Sequence, residues 1–177
     1  MKILKLSMVL LLICAIVAGV LGVVDFVTKD TIVQRQADKT AKAYAAVLQS
    51  DSYTDVAFDA EAFPQIDAIA RAGDKGHVVT ITFSGAQGMI TMVVGVDKAL
   101  KCSGISITAH SETSGLGANA ASASEVGQSF RAQFVGQNKG IAISKSGGSI
   151  DALSGATITS EAVVGAVADA IAAVEAI

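Results

Sequence analysis

The residues able to do chemistry gather in two segments of this 177-residue chain. The first is Asp151-Ala152-Leu153-Ser154-Gly155-Ala156-Thr157, just ahead of an alanine-rich C-terminal run. It sets one hydroxyl nucleophile, Thr157, behind small residues, where backbone N–H groups at a helix start can receive a phosphate. Gly155 and Ala156 let the backbone approach such a group closely. Ser-Gly-Ala-Thr alone is also ordinary vocabulary for a helix N-terminus, with Thr159 as the cap and Glu161 favoured by the dipole in the first turn. Both readings stand on the segment by itself.

The second segment is His110-Ser111-Glu112-Thr113-Ser114-Gly115-Leu116-Gly117. Gly115-x-Gly117-x-x-Ala120 formally matches a dinucleotide fingerprint. The glycines nevertheless fall in a polar loop rather than a strand-to-helix turn, and no acidic residue follows about 20 positions on to take a ribose. His77 is the other histidine, and no acid–base partner accompanies either, so a hydrolytic triad or metal hydrolase has little support. Glu112 fits a cap, a salt bridge or a ligand contact.

The elements that must position these segments follow from periodicity. Val78, Ile81 and Phe83, then Met89 to Val96, then Ile105 and Ile107 read as three strands, with turns at 84–88 and 97–103. Helices are expected over about 65–71, 121–134 and 160–176, with a short strand at 141–144. The result is an α+β domain with a mostly antiparallel sheet and flanking helices.

Ahead of it, Met8 to Val24 is an unbroken apolar run that Leu6 and Ser7 extend to 19 positions. At roughly 1.5 Å per residue it crosses about 28 Å, close to a bilayer core. A cleaved signal has a shorter apolar region of about 7–15 residues; Val17-Ala18-Gly19 is a poor cleavage site, and Ile13 before Cys14 argues against a lipoprotein. An uncleaved, single-pass anchor is expected. The N-terminal amine, Lys2 and Lys5 favour a cytoplasmic N-terminus, placing the soluble part on the outer face of the cytoplasmic membrane. Residues 25–49 read as a polar helix with Ile32, Val33, Ala37, Ala41, Tyr44, Ala45 and Leu48 at three- and four-residue steps. The expected organisation is an anchor over 1–28, a helical stalk over 29–49 and one domain over 50–177.

A net charge of −3 gives no basic footprint for nucleic acid. Cys14 in the anchor and Cys102 in the domain do not pair, and neither has the spacing of a zinc or iron–sulfur site. The basic start and long apolar helix also suggest a pilin-like structural protein, but the run lacks the glutamate and leader-peptidase site of such proteins.

Taken in order, H-S-E-T-S-G-L-G, F-R-A-Q-F-V-G and D-A-L-S-G-A-T-I-T-S behind one N-terminal span resemble the FMN-binding domain of the RnfG family, from the Rnf complex. They are also similar to the NqrC family, the FMN-carrying component of the sodium-pumping NADH:quinone reductase. The compact length is nearer the first. The resemblance implies a membrane-anchored electron carrier in an ion-translocating ferredoxin:NAD oxidoreductase, a translocase whose other membrane and peripheral subunits are its partners. It implies FMN held covalently through a phosphoester to Thr157, installed from FAD by a separate flavin transferase. Asp151 and Ser154 match the motif such a transferase reads; Gly155 and Ala156 lie within it. His110 opens the second motif, and Glu112, Thr113, Leu116 and Gly117 match the loop that lies against the flavin. Ser114 stands where the family usually has proline, which implies a less rigid loop. A different anchored flavin module is the remaining alternative.

Overall fold

The computed structural model describes residues 2–177, with the side chains of 2–4, 6 and 30–33 outside the described set. The N-terminal amine and the expected seam positions Ile32 and Val33 therefore lie outside it. The chain divides into two compact units, residues 1–39 and 40–177.

The first unit is the bulk of one long helix, α1 (Lys2–Val47), which runs without a break from the apolar segment into the polar one. Within it, Met8, Leu11, Leu21, Phe26 and Val27 are all exposed, and mean hydropathy over its apolar window is 2.9. So much unburied apolar side chain on a single helix is what a bilayer accommodates and water does not.

In the second unit, β1 (Tyr53–Val56), β2 (Ile66–Ala72), β3 (Gly76–Ser84), β4 (Met89–Asp97) and β5 (Cys102–His110) form one antiparallel meander in chain order. Three of these strands match the expected runs. The segment read as a helix over 65–71 is instead β2, paired with β3 from Ile66↔Ile81 to Ala72↔Gly76. A register shift between Ile66 and Ala68 breaks its alternation and leaves Ile66 and Ile69 at a helix-like three-residue step. β1 is a short, largely exposed edge strand without an apolar alternation of its own.

Each sheet face has its own cover. Val79, Ile81 and Phe83 of β3 and Met92, Val94 and Val96 of β4 point to one face. There α3 (Thr157–Glu175) lays Val163, Val167 and Ile171 across them. Ala70, Val78 and Val93 point to the other, where Ala43 and Val47 from the last turns of α1 cover them. The two-residue period of the strands thus divides one sheet between two layers. Tyr44 Oη hydrogen-bonds Thr80 Oγ1 at 3.0 Å, and Ser103 Oγ donates to the Val47 carbonyl at 2.7 Å, fixing this end of α1. α3 is long and apolar enough to cross a membrane, yet ten of its residues are buried within the domain, so it is a core helix.

Between sheet and α3 the expectations shift in detail. The helix read over 121–134 is a 3-10 turn (Gly117–Ala121) followed by α2 (Glu125–Ala132), which starts at Ser124, whose side chain accepts from the Gly127 amide. The strand expected at 141–144 is a single parallel bridge, Ile143↔Ile150, followed by a 3-10 turn. The last helix starts at Thr157, not Ser160, so the motif's threonine is its first residue.

Candidate functional site

Three elements converge at one end of the sheet: the β3–β4 turn, the loop after β5, and the start of α3. Between them lies a cavity of about 350 Å³. Ala86 and Gln87 come from the turn, Glu112, Thr113, Leu116 and Gly117 from the loop, and residues 155–159 from the helix start. Gly155 sits at φ 72°, in the left-handed region that a side chain disfavours, and turns the chain into α3.

Four hydroxyls crowd this helix start, and the structure gives each a different use. Ser160 is fully buried; its Oγ donates to the Ala156 carbonyl at 2.9 Å and accepts from the Leu153 amide at 3.0 Å. Thr159, also fully buried, donates its hydroxyl to Glu112 Oε2 at 2.7 Å. Thr159 is therefore not the cap: the N-cap is Ala156, which offers no side-chain hydrogen bond. Ser154 is exposed and lines a neighbouring groove with Asp151, Glu125 and Ser129. Thr157 alone of the four lines the cavity with a hydroxyl that has no hydrogen-bond partner among the described residues.

Because Ala156 caps nothing, the first-turn amides of α3 lack a side-chain acceptor. The first N–H groups of a helix have no intrahelical partner, and with the dipole they form an anion-binding end. The cavity lining contains no lysine or arginine, so these amides are its source of positive potential.

Glu112 is the charged residue of the lining and only 8% exposed. Its Oε1 accepts from the Gln87 amide at 3.0 Å while its Oε2 takes the Thr159 hydroxyl. Burial pushes its carboxyl up, but the Gln87 amide, the Thr159 hydroxyl and the Ala86 and Gly88 amides outweigh it and hold the group below the usual range.

Of the residues singled out from sequence, Glu112, Thr113, Leu116, Gly117, Gly155, Ala156 and Thr157 meet in this cavity. His110, Asp151 and Ser154 do not line it. His110 ends β5, where its Nδ1 accepts from the Glu112 amide at 3.3 Å. Asp151 faces the adjacent groove, its amide bonded to Gln133 Oε1 at 2.7 Å and its Oδ1 to Ser144 Oγ at 2.8 Å. Sequence reasoning missed Ala86, Gln87 and Ile158, and assigned Thr159 to capping. The available signal for the turn was the pair of glycines in Ser84-Gly85-Ala86-Gln87-Gly88.

Comparison with known proteins follows the same lines. Residues 85–172 match the FMN-binding domain family, and residues 1–47 match the RnfG N-terminal region. The chain is 30% identical over 169 residues to the G subunit of the proton-translocating ferredoxin:NAD(+) oxidoreductase complex of Clostridium ljungdahlii, covering 89% of this chain and 84% of that protein. The chain belongs to the RnfG family. Similarity to the G subunit of the ion-translocating oxidoreductase complex of Yersinia pestis is 31% over 169 residues, 86% of this chain and 80% of that one. Identity reaches 40% over 98 residues with the corresponding protein of Methanosarcina acetivorans, where the match spans 54% of this chain and half of that protein's length. RnfG membership and the exposed apolar helix together make this a membrane-anchored protein with an FMN-binding domain.

Proposed function

We propose that this chain carries FMN esterified through its phosphate to Thr157 and relays electrons within an Rnf-type ion-translocating oxidoreductase. The observation that carries the reading is the sorting of hydroxyls at the start of α3. Thr159 and Ser160 are buried and engaged, Ser154 lies outside the cavity, and Thr157 is left free on its wall.

The residues present fit the group. A phosphate on Thr157 Oγ1 would meet the first-turn amides of α3, where negative charge is favoured. Leu116 and Ile158, 44% and 65% exposed at the cavity, supply apolar surface for a flavin ring. The cofactor supplies the redox chemistry when bound; the protein orients it and sets its electronics. Attachment from FAD by a flavin transferase forms the Thr157 Oγ1–phosphorus bond as the phosphoanhydride bond breaks, and AMP leaves with the hydroxyl proton balanced to solvent. Asp151 and Ser154 lie on the adjacent exposed groove, where an enzyme reading the motif could reach them.

In the proposed arrangement α1 crosses the cytoplasmic membrane once, with Lys2 and Lys5 inside and the FMN domain on the outer face. Confinement to the bilayer raises the domain's effective concentration against neighbouring subunits that give and take the electron. Gly19 and Gly22, which leave open space on α1, permit close helix packing there. The name of the Clostridium relative supports ferredoxin and NAD as the ends of the electron path.

The test is expression with a flavin transferase, followed by in-gel flavin fluorescence and intact mass. The expected result is a fluorescent chain heavier by FMN less one water, and a dark, unmodified Thr157→Ala. A dark, unmodified wild-type chain with active transferase and confirmed export would overturn the covalent reading.

A further inference from the structure

We infer that Glu112 is the residue that sets the electronics of this cavity: its carboxylate clasps the β3–β4 turn to α3 and places an uncompensated negative charge beside the flavin, holding the flavin's reduction potential down. The inference rests on the flavin reading above and concerns a residue whose role sequence left open among cap, salt bridge and ligand contact.

Three observations carry it. The first is that Glu112 joins elements far apart in the chain, since one oxygen takes the Gln87 amide and the other the Thr159 hydroxyl. Its two hydrogen bonds link the turn and the helix start, which both line the cavity. Secondly, the surroundings are cut to fit that carboxylate. A Cβ added at Gly85 would fall 2.7 Å from Ile90 Cδ1 and closer still to Glu112 Oε1. One added at Gly117 would fall 2.6 Å from Thr159 Oγ1 and closer still to Glu112 Oε2. Two glycines in two loops thus vacate the volume that one side chain fills.

Thirdly, the charge is unpaired by any cation. The ion pairs among the described residues are Arg71–Asp74 and Lys139–Glu175, and neither lies at the cavity. Hydrogen bonds from neutral donors keep Glu112 ionised despite its burial. A carboxylate solvated by amides and a hydroxyl, rather than neutralised by lysine or arginine, keeps its net charge and so a negative potential in the adjoining space. Each electron a flavin there accepts from its donor adds one negative charge unless a proton follows, and that charge is opposed by Glu112. Across a cavity of this size, at an effective dielectric near 20, one unit charge shifts such an equilibrium by about tenfold or more.

Glu112→Gln separates the two roles. It is isosteric; its amide oxygen still accepts from Gln87, and its NH2 donates to Thr159 Oγ1 once that hydroxyl turns. The clasp stays and the charge goes. In the full-length flavinylated chain in detergent, spectroelectrochemical titration is expected to show a potential raised by about 59 mV, which is tenfold for a one-electron couple. The titration is read on the flavinylated fraction, and the melting temperature should fall less than in Glu112→Asp because both hydrogen bonds of the clasp remain, as neutral ones. Glu112→Asp, which keeps the charge on a shorter stem, should do the reverse, with a potential near wild type and a lower melting temperature. A merely structural glutamate would move melting in both variants and potential in neither.

An unchanged potential in flavinylated Glu112→Gln overturns the inference and leaves the flavin reading intact. Should Glu112→Gln fail to take up flavin, the wild-type chain decides: a potential that rises beyond the flavin's own pH dependence as Glu112 is protonated below its ordinary value of 4.5 supports the inference, and one that follows the flavin's dependence alone overturns it. A wild-type chain that carries no flavin overturns both.

Discussion

Gly117→Ala asks the most of the cavity's geometry. The added methyl would sit 2.6 Å from Thr159 Oγ1 and nearer still to Glu112 Oε2, and both neighbours are buried and hydrogen-bonded to one another. Overpacking of this kind costs about 1–3 kcal/mol. Displacing the carboxylate also breaks a bond to a charged group, a loss of about 1.5–3 kcal/mol. The two overlap, because moving Glu112 relieves the clash, so a total of roughly 2–5 kcal/mol is expected. For a unit the size of residues 40–177, at about 4 °C per kcal/mol, that is a fall in melting temperature of roughly 8–20 °C. Gly165→Ala is the matched control. Nothing lies within 4 Å of its added Cβ, and it is interior to α3. There alanine should stabilise by about 0.5–1 kcal/mol through helix propensity. Calorimetry of the two variants in detergent should move them in opposite directions. A Gly117→Ala chain melting with wild type would refute the tight packing around Glu112.

Other expectations concern single groups. Ser160→Ala removes a hydroxyl that satisfies both the Leu153 amide and the Ala156 carbonyl, so a loss of about 2 kcal/mol is expected in denaturant melts, whereas Thr157→Ala should change stability by less than about 0.5 kcal/mol. Glu112 is held below its ordinary value of 4.5, so its contribution is present above that pH and is lost as pH falls through the lower, folded-state value. Acid melts of wild type should therefore steepen below about 4.5 relative to Glu112→Gln, and parallel acid limbs would contradict the assignment. Cys102 is 1% exposed and burial pushes its thiol up to about 11, so a thiol reagent should label it in the unfolded chain and not the native one at neutral pH.

How far the sequence disclosed this arrangement depended on which physical signal each residue carries. β3, β4 and β5 announce themselves because their apolar residues alternate over long runs. β2 does not, since Ile69 serves one face and its neighbour Ala70 the other, and the register shift at Ile66/Ala68 mimics a helical step. α3 starts three residues earlier than its periodicity suggests, because Thr159 and Ser160 look like capping residues but are buried in its first turn. The cavity was legible where it uses side chains of distinctive chemistry, at Glu112 and Thr157. It was not legible at Gln87, which contributes to Glu112 through its backbone amide, a group every residue but proline possesses.

The electrostatics of the cavity bear on why the proposed linkage is an ester. A phosphate bound reversibly normally meets arginine or lysine, and here the lining has neither. What remains is the first turn of α3, and its positive end is shared with the ionised Glu112, whose Oε2 is held by Thr159 in that same turn. The helix end is worth at most about 2 kcal/mol to an anion in a favourable partly buried site, far short of the roughly 8 kcal/mol of micromolar binding. Apolar contact at Leu116 and Ile158 adds to this, but both side chains are substantially exposed. A site so built releases an untethered flavin readily, the more so once electrons add charge beside Glu112. A bond from Thr157 to the phosphate removes that constraint. The cavity can then keep a carboxylate where a cation would otherwise be needed, and the field that disfavours anion binding becomes available to set the potential.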